Sequence, residues 1–265
     1  MSCLQNETVC TAAHTPHTIS HKDIWADHPL SFTIRGASSH GIRSRAKILL
    51  NRMYAWRGYV PLSSEGNHIP ELEEDANDGC KATLVAMANE KAIGTLTVGF
   101  DDVEPFAATA IFADEISELR RQGGKLCEFT SLAVKEAVCS REVLASLFHT
   151  AYIYANRLNG ASRVIIEVNP RHVGFYRTVL SFVTVGKEKI NQKVNARSVL
   201  MVLEFSRVHE MLKRALLGDM SDIPRRSFYP FFFPLAEEEG IAHRMLAHRR
   251  EEQMSKSRLY RRLND

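Results

Sequence analysis

Glu128, in the segment CEFTSLAV (Cys127–Val134), is the residue whose type and position first suggest chemistry. The run Thr130–Val134 predicts a buried strand, and Glu128 stands at its beginning without an obvious partner nearby in sequence. Partial burial raises the pKa of a carboxyl group, and such a group can accept a proton from a reacting molecule near neutral pH. The alternative is structural: Glu128 lies at the sheet edge and pairs with Arg120 or Arg121.

Strands and helices alternate along the chain around this segment. Apolar residues at helical spacing predict a helix with Ile48, Leu49, Met53 and Trp56 on its buried face. A short connection at Asn89–Lys91 predicts a tight β-hairpin. The other predicted elements, in chain order, are strands at Leu30–Ala37, Ala82–Ala88 and Ala92–Phe100, a helix closed by Gly123 and Gly124, a helix capped by Ser140 and Gly160, a strand at Ser162–Val168, a short helix within His172–Phe182 and a strand at Ala196–Phe205.

This order of elements predicts an α/β fold of the α+β type, with a mixed central sheet flanked by helices, because strands alternate with helices only in the second half. After Phe205 the sequence becomes helical, then Pro-broken and aromatic, then helical and charged. We therefore expect a flexible N-terminal arm at residues 1–29, a domain at 30–205, and a helical extension at 206–265 that packs on that domain.

Composition excludes several classes of protein. The chain has 265 residues, of which 45% are hydrophobic and 25% charged, as in an ordinary soluble globular protein. Its net charge of +3 is too small to indicate nucleic-acid binding. No apolar run approaches the roughly 18 residues of a membrane-spanning helix. The N-terminal segment lacks the pattern of a signal peptide.

Cysteine and histidine spacing argues against metal or disulfide sites. The odd number of cysteines and the absence of a CxxC pair disfavour a disulfide framework and favour reduced thiols in the cytoplasm. The three histidines of the N-terminal arm have poor ligand spacing and no acidic or cysteine partner close by, so no metal is expected. The cysteines are Cys3, Cys10, Cys80, Cys127 and Cys139.

The segment VIIEVNPRHVGFYRTVLSF (Val164–Phe182) carries a family pattern. A strand, an Asn-Pro break, Phe-Tyr a few residues later and a small break before Phe182 resemble the late part of the GNAT acyltransferase fold. The order of the preceding elements resembles it too. In that fold two parallel strands separate, and the acyl thioester lies in the gap between them.

One departure from the GNAT pattern concerns the acyl donor. GNAT enzymes that use coenzyme A carry Arg/Gln-x-x-Gly-x-Gly/Ala after the first of the two strands, and its backbone N–H groups bind the pyrophosphate. This chain has AVKEAVCSREVLASL there, and no glycine occurs from Lys125 to Asn159. Without glycine the backbone cannot approach a pyrophosphate as closely. The resemblance therefore implies an acyl group carried by an acyl carrier protein, and no separate cofactor.

Two related families use such a donor, the acyl-homoserine-lactone synthases and the long-chain N-acyl amino acid synthases of the FeeM type. The segments FADEISELRRQGGKLCEFTSLAV and IEVNPRHVGFYRTVLSF look most like the FeeM group, within a resemblance that covers Ala37–Phe205. In the lactone synthases Ser-Arg follows the glutamate closely, whereas here Leu132 follows Ser131. The implied reaction joins a long fatty acyl chain to the amino group of an amino acid, and its lipid product can reach a membrane.

The resemblance gives Glu128 and Tyr176 catalytic roles. Glu128 would remove the proton from the attacking amine, and Tyr176 would protonate the leaving thiolate. Backbone N–H groups near Leu132 and Ala133 would stabilise the oxyanion. Thr130 shares a strand face with Glu128 and could orient it, or could simply favour the strand. Tyr176 could instead be an aromatic side chain packed beside Phe175 and Phe182.

Further residues are candidates for binding the acceptor amino acid. An arginine can bind its carboxylate through two parallel hydrogen bonds, although most of these arginines could be solvated surface charges. Asp101, beside Asp102, could bind the amine, or could cap a turn. The candidates are Arg52, Arg57, Arg120 and Arg121 for the carboxylate, Asp101 for the amine, and Asn169 after the strand.

The C-terminal extension offers two further hypotheses. The aromatic segment FYPFFFP (Phe228–Pro234) could cover a lipid channel or pack against the core. The basic tail from Ile241 to Arg262 could dock an acidic carrier protein, or could be a solvated helix. Two alternative functions stay open: an acetyl-coenzyme A GNAT enzyme with an altered phosphate loop, and a non-catalytic GNAT fold that binds a carrier protein or lipid.

Overall fold

The computed structural model describes residues 31–56 and 81–264, except residues 103, 136–139, 193, 220 and 222. Within that part of the chain, the side chains of residues 56, 252 and 255–264 are not described. The predicted N-terminal arm, Arg57 and every cysteine except Cys127 lie outside the described residues, as do the three histidines of the arm.

Among the described residues, seven strands form one mixed sheet in the order β1-β2-β3-β4-β5-β7-β6. Neighbouring strands are antiparallel except β4 and β5, which are parallel. This arrangement confirms the predicted mixed sheet. The strands are β1 (Thr33–Gly36), β2 (Lys81–Ala88), β3 (Lys91–Gly99), β4 (Lys125–Val134), β5 (Ala161–Val168), β6 (Val183–Asn191) and β7 (Ala196–Glu204).

Helices cover both faces of this sheet. They are α1 (His40–Trp56), α2 (Thr109–Arg121), α3 (Arg141–Tyr152, continued by a π-helical turn at Ile153–Leu158), α4 (Val173–Leu180), α5 (Phe205–Leu216) and α6 (Leu235–Asn264). Two short 3₁₀ turns lie at Pro170–His172 and Tyr229–Phe231.

Strand alternation divides the hydrophobic core between the two faces. On the first face, Leu126 of β4 and Ile165 of β5 pack with Phe112 of α2. On the second face, Phe129 of β4 packs in the larger cluster that contains Phe148 of α3. Side chains of β4 therefore point alternately toward α2 and toward α3.

Local signals in the sequence set several element boundaries as predicted. The Ser140 hydroxyl accepts a hydrogen bond from the Val143 N–H at 3.3 Å, which caps α3. Asn89 and Glu90 have φ values of 47° and 58° and form the tight turn between β2 and β3. Gly160, just after α3 and its π-helical turn, has a φ of 69°.

The structure corrects two predictions. Ile48 was expected on the buried face of the first helix, but its side chain is 64% exposed and Leu50 is buried instead. Strand β6 was not predicted at all. It lies at the edge of the sheet, most of its residues are exposed, and Gly186 interrupts it with a φ of 70°. An exposed edge strand lacks the apolar alternation that identifies buried strands.

The segment after residue 205 packs against the second face of the sheet. The Phe228 N–H donates to the Val179 carbonyl at 2.9 Å, and the Tyr229 hydroxyl donates to the Leu180 carbonyl at 2.8 Å. Both aromatic side chains are buried, as is Phe232. Within the described part of the chain, no helix is long and apolar enough to cross a bilayer.

Candidate active site

Strands β4 and β5 pair over only part of their length. Their parallel pairing begins at Lys125 and Ala161 and ends with Glu128 opposite Ile165. Beyond that point β4 continues along β3 to Val134, while β5 continues along β7. A gap therefore opens between the two central strands immediately after Glu128, as the resemblance to GNAT enzymes predicted.

A bulge in β4 lies beside this gap. Ser131 has a φ of 53°, and the register between β3 and β4 shifts at this point. The Thr95 hydroxyl donates to the Ser131 carbonyl at 2.7 Å and holds the bulge in place. Leu132 consequently has no register partner on either neighbouring strand, whereas Ala133 pairs with Thr95. The N–H of a strand residue without a register partner, beside the gap, is the type of group that can bind an oxyanion.

The Glu128 carboxylate lies on the first face and is held by backbone groups. Its side chain is only 4% exposed. Oε2 accepts from the Ala107 N–H at 2.8 Å, and Oε1 accepts from the Ala108 N–H at 2.9 Å, both just before α2. Burial raises the pKa of Glu128 above the usual carboxyl value, and these two N–H groups only partly oppose that effect. Arg120 and Arg121, the partners expected in a structural role, pair with other residues.

A second carboxylate, Glu167, was not singled out from the sequence. It follows Ile165 by two residues in β5 and therefore lies on the same face as Glu128, beyond the last pair. Its Oε1 accepts from the Ser198 hydroxyl at 2.6 Å and from the Asn191 side-chain amide at 2.7 Å. Its negative charge contributes to the raised pKa of Glu128. A charged residue inside the apolar run VIIEV was the signal in the sequence.

The two glutamates on this face have no basic partner among the described residues. No Lys, Arg or His side chain there forms an ion pair with either carboxylate, and Lys81 acts on Glu128 only from a longer distance. The basic residues around them pair elsewhere: Lys81 with Glu104, Lys189 with Glu115, Arg120 with Asp101 and Arg121 with Glu118. This part of the first face therefore carries two carboxyl groups that no described basic side chain pairs with.

Two predicted substrate-binding residues bind each other. The Arg120 guanidinium hydrogen-bonds to Asp101 through Nε, at 3.0 Å, and through Nη2. The Arg120 side chain also lies over the Phe106 ring. Asp102 forms a similar pair with Lys125. The Arg120 side chain is 40% exposed, so this pair lies at the surface.

The other candidate residues on the first face are Arg52, Thr130 and Ala133. Arg52 is an exposed residue of α1. Thr130 pairs with Thr97 in register and shares the face of Glu128, as predicted. The Ala133 side chain packs with Leu49 of α1.

Tyr176 lies in α4 on the second face of the sheet. Its ring contacts three other aromatic rings, with centroid distances of 6.3 Å to Phe148, 5.2 Å to Phe175 and 5.9 Å to Phe182. The packed-aromatic alternative is therefore part of the structure, and it is compatible with a catalytic hydroxyl. Glu128 and Tyr176 lie on opposite faces of the sheet.

The Asn169 side chain forms hydrogen bonds to backbone groups on both sides of the end of β5. Its side-chain oxygen accepts from the Arg171 N–H at 3.2 Å and caps the 3₁₀ turn. Its side-chain amide donates to the Arg197 carbonyl at 3.3 Å. These bonds use both ends of the amide, so its contribution in this structure is to fix the chain between β5 and α4.

The segment where a coenzyme A pyrophosphate would bind lies mostly outside the described residues, at 136–139. The Ser140 side chain caps α3 just after it. The described residues contain no group of three or more His, Cys, Asp or Glu that could hold a metal ion.

Comparison with known proteins identifies the family. The model of the FeeM N-acyl amino acid synthase family matches residues 45–204, more than half of the chain. The chain belongs to this family. It is therefore an acyltransferase, as predicted from the segments around Glu128 and Tyr176. None of the curated protein sequences compared with the chain matches it significantly.

Similarity to the solved structure of FeeM agrees with membership of this family. The structure of FeeM, an N-acyl amino acid synthase from uncultured soil microbes, is 26% identical, covers 67% of this chain and 98% of its own, and superposes with a TM-score of 0.55. The CoA-dependent acyl-homoserine lactone synthase MesI is 10% identical over 74% of this chain and 99% of its own, with a TM-score of 0.47. ElaA from Escherichia coli is 12% identical over 66% and 100%, with a TM-score of 0.45. The mixed seven-stranded sheet with its flanking helices is the predicted GNAT-like acyltransferase fold.

Proposed function

We propose that this member of the FeeM family transfers a long-chain acyl group from an acyl carrier protein to the amino group of an amino acid. The observation that carries the proposal is the position of Glu128. Its buried carboxylate stands at the last pair of β4 and β5, where the gap for a thioester opens. Its raised pKa suits a group that must accept a proton near neutral pH.

The proposed reaction places the thioester carbonyl in the gap beyond Glu128. Glu128 first accepts one proton from the acceptor ammonium, directly or through one water, and passes it to solvent. The free amine nitrogen then attacks the carbonyl carbon, the nitrogen loses its second proton to Glu128, and the bond from carbon to sulfur breaks. The N–H of Leu132 in the bulge stabilises the oxyanion. Tyr176 donates a proton to the thiolate, which leaves as a thiol. Glu128 and Tyr176 lie on opposite faces of the sheet. This position supports a reaction in which the amine enters from the first face and the thiol leaves on the second.

We assign the acceptor amino acid to the first face, beside Glu128 and Glu167. The acceptor arrives as an ammonium ion, and the Glu167 carboxylate lies on that face without a basic partner among the described residues. A carboxylate that binds the ammonium places it close to the base that deprotonates it. Arg120 is our candidate for the acceptor carboxylate, because its guanidinium is already oriented by Asp101 and partly exposed.

We assign the carrier protein to the second face, near α4. Three exposed arginines there form no ion pair among the described residues: Arg177, Arg225 and Arg226. The hydrogen bond from Phe228 to Val179 brings the turn at 224–227 against the end of α4. A basic surface attracts acidic carrier proteins, and α4 also carries Tyr176. Arg249 of the basic tail instead bonds to Asn159 at 2.8 Å, which gives it a structural contact.

Purified protein assayed with acyl carrier protein and with acyl-coenzyme A, matched in chain length, tests this proposal. We expect N-acyl amino acid as product and a much higher kcat/KM with the carrier-bound donor. Equal kcat/KM for both donors would remove the carrier protein from the proposal. A strong preference for acetyl-coenzyme A would favour the ordinary GNAT alternative. Absence of transfer from either donor to any of the twenty amino acids would refute the proposed function.

A further inference from the structure

Helix α2 is kinked close to the carboxylate of Glu128. Phe112 has φ and ψ values of −115° and 37°, which are not helical and separate the first turn, residues 109–111, from the rest of the helix. The two residues just before this turn supply the N–H groups that hold Glu128. Because the kink interrupts the helix, the position of these N–H groups depends on contacts that the first turn makes with other elements.

Lys189 of the edge strand β6 contacts this first turn. Its Nζ donates to the Ile111 carbonyl at 3.2 Å and to Glu115 Oε2 at 2.8 Å. The ammonium group also lies over the Phe112 ring, 5.2 Å from its centroid. Strand and helix come close together at Gly186, where a Cβ atom would lie 2.7 Å from Glu115 Cγ. Strand β6 thus places a positive charge at the kink.

Three successive peptide groups connect the Lys189 ammonium to the Glu128 carboxylate. Each accepts a hydrogen bond through its carbonyl and donates one through its N–H, and the first accepts from Lys189. Carbonyl and N–H point in opposite directions in a planar trans peptide, so the bonds form a chain whose members polarise one another. The donations, in order from Lys189, are Phe112 N–H to the Ala108 carbonyl at 2.8 Å, Thr109 N–H to the Phe106 carbonyl at 3.0 Å, and Ala107 N–H to Glu128 Oε2 at 2.8 Å.

We propose that Lys189 is a positioning residue for acyl transfer: through these three peptide groups it fixes and polarises the Ala107 N–H that binds Glu128. The inference rests on the proposed function, in which Glu128 is the base. A positive charge at the start of the chain strengthens the donors along it, because a hydrogen bond from an ionised donor is stronger than one between neutral groups. The Ala108 N–H, which binds Glu128 Oε1, does not belong to this chain.

Other charged groups also act at the two ends of the chain. Burial has the largest effect on the pKa of Glu128 and raises it; the charge of Glu167 on β5 also raises it, and that of Lys81 on β2 lowers it. Glu115 of α2 pairs with Lys189 itself. Substitution of Lys189 alone leaves these groups in place, so a change in the pKa of Glu128 then reports on Lys189.

Substitution of Lys189 should change the protonation of Glu128. Lys189→Met keeps the length of the side chain but removes its charge and its donor, so the Ala107 N–H should bind the carboxylate less well and the pKa of Glu128 should rise. Lys189→Arg keeps the charge and a donor, and it should preserve the wild-type value. Lys187→Met is the matched control, because Lys187 is exposed on the same strand and the change in net charge is the same.

NMR titration of the Glu128 carboxyl carbon in glutamate-labelled protein measures this pKa without substrate, and the signal that disappears in Glu128→Gln identifies it. In alanine-labelled protein, Lys189→Met should shift the amide proton of Ala107 more than that of Ala108, because only the former belongs to the chain. An unchanged pKa in Lys189→Met, or an equal rise in Lys187→Met, would overturn the inference. Equal shifts of the two amide protons would also overturn it, because they indicate a direct effect of charge. Lys189→Gln replaces Lys189→Met if that variant does not fold.

Kinetics with the carrier-bound donor connect the chain to the reaction. In Lys189→Met the acidic limb of kcat/KM should move to higher pH, and kcat should fall by as much as about 10²-fold, since a displacement of about 1 Å can cost that much. A loss of kcat with an unmoved acidic limb would overturn the positioning role and leave Lys189 a role in folding alone. If the wild-type protein forms no product, the proposed function is refuted, whereas the titration still decides whether Lys189 acts on Glu128.

Discussion

Glu128 and Ile165 face each other in the last parallel pair before β4 and β5 separate. This relationship fixes the carboxylate at the start of the gap. Two backbone N–H groups before α2 also hold it, so the side chain has little freedom to leave that position. The sheet therefore places a buried carboxylate of raised pKa where the reaction that we propose needs a base.

Glu128→Gln should lower turnover by about 10² to 10⁴, the contribution typical of a general base. The defect should shrink at high pH, where the free amine of the acceptor is already populated. In the wild-type protein, kcat/KM should rise with pH as Glu128 loses its proton, above the usual carboxyl range because burial raises its pKa. Rate profiles against pH for both proteins measure this. Normal turnover per folded Glu128→Gln molecule would remove Glu128 from the mechanism.

The same variant should also be less stable. Glutamine offers one acceptor oxygen, so one of the buried N–H groups of Ala107 and Ala108 loses its partner. An unsatisfied buried donor costs about 1–3 kcal/mol of the free energy of unfolding. Denaturant unfolding of both proteins separates this loss from the loss of turnover. An unchanged free energy of unfolding would show that the two N–H groups find other partners.

Only part of the arrangement around Glu128 could be predicted from the sequence. The run Cys127–Val134 identified the strand and its glutamate, and the Asn-Pro break identified the end of β5. The partners of Glu128 are backbone groups of Ala107 and Ala108, about twenty residues away, and backbone groups leave no pattern in side-chain types. The bulge at Ser131 could not be predicted from the sequence either. Its positive φ occurs at a residue other than glycine, and a hydrogen bond from the distant Thr95 stabilises it.

Glu167 shows a different limit. Its position in the sequence was visible, but its importance depends on where β4 and β5 separate and on which face it shares with Glu128. Strand β6, which supplies Asn191 to this carboxylate, was missed because an exposed edge strand lacks apolar alternation. The sequence was sufficient to predict the elements whose burial imposes a periodic pattern. It did not single out Glu167, because the register between distant strands decides which residues flank the gap.

Glu167→Gln should raise KM for the amino acid acceptor and leave KM for the acyl donor unchanged. It should also shift the acidic limb of the kcat/KM profile to lower pH, since the Glu167 charge contributes to the raised pKa of Glu128. Glutamine keeps an acceptor for Ser198 and Asn191, so folding should survive. Glu204→Gln is the control, because Glu204 is exposed and bridges only to Arg163. Identical acceptor KM values for wild type and Glu167→Gln would exclude Glu167 from acceptor binding.

Charge reversal on the second face should weaken binding of the carrier-bound donor and leave binding of acyl-coenzyme A unchanged. Arg177→Glu combined with Arg226→Glu should raise KM for the acyl carrier protein donor and leave KM for acyl-coenzyme A unchanged. Added salt should reproduce the effect in the wild type, since exposed charges are screened over about 10 Å at 0.1 M.

Reversal of Arg244 and Arg250, two exposed residues of the basic tail, provides the comparison. We expect little change from it. If KM for the carrier-bound donor rises in the Arg244/Arg250 variant and not in the Arg177/Arg226 variant, the carrier protein docks on the basic tail, which was the hypothesis from the sequence.

Acid should weaken the attachment of the extension through His149. Its Nδ1 accepts the Phe233 N–H, so this nitrogen cannot gain a proton without losing the bond. Burial lowers the pKa of His149 below the usual value, although Glu238 opposes this effect. The unfolded chain then binds a proton more readily than the folded protein does. The stability from the neutral ring is therefore complete above the ordinary histidine pKa and is lost as pH falls toward the lower folded value.

Denaturant unfolding of wild type and His149→Phe between about pH 8 and pH 5 measures this dependence. The variant should be less stable by about 1–3 kcal/mol at neutral pH, because Glu238 and the Phe233 N–H lose a buried partner. The difference between the two proteins should narrow as pH falls, since only the wild type has a neutral ring to lose. His209→Gln is the control, because His209 is an exposed histidine that bonds to the Tyr152 hydroxyl. Parallel pH dependence in wild type and His149→Phe would show that His149 does not control the attachment of the extension.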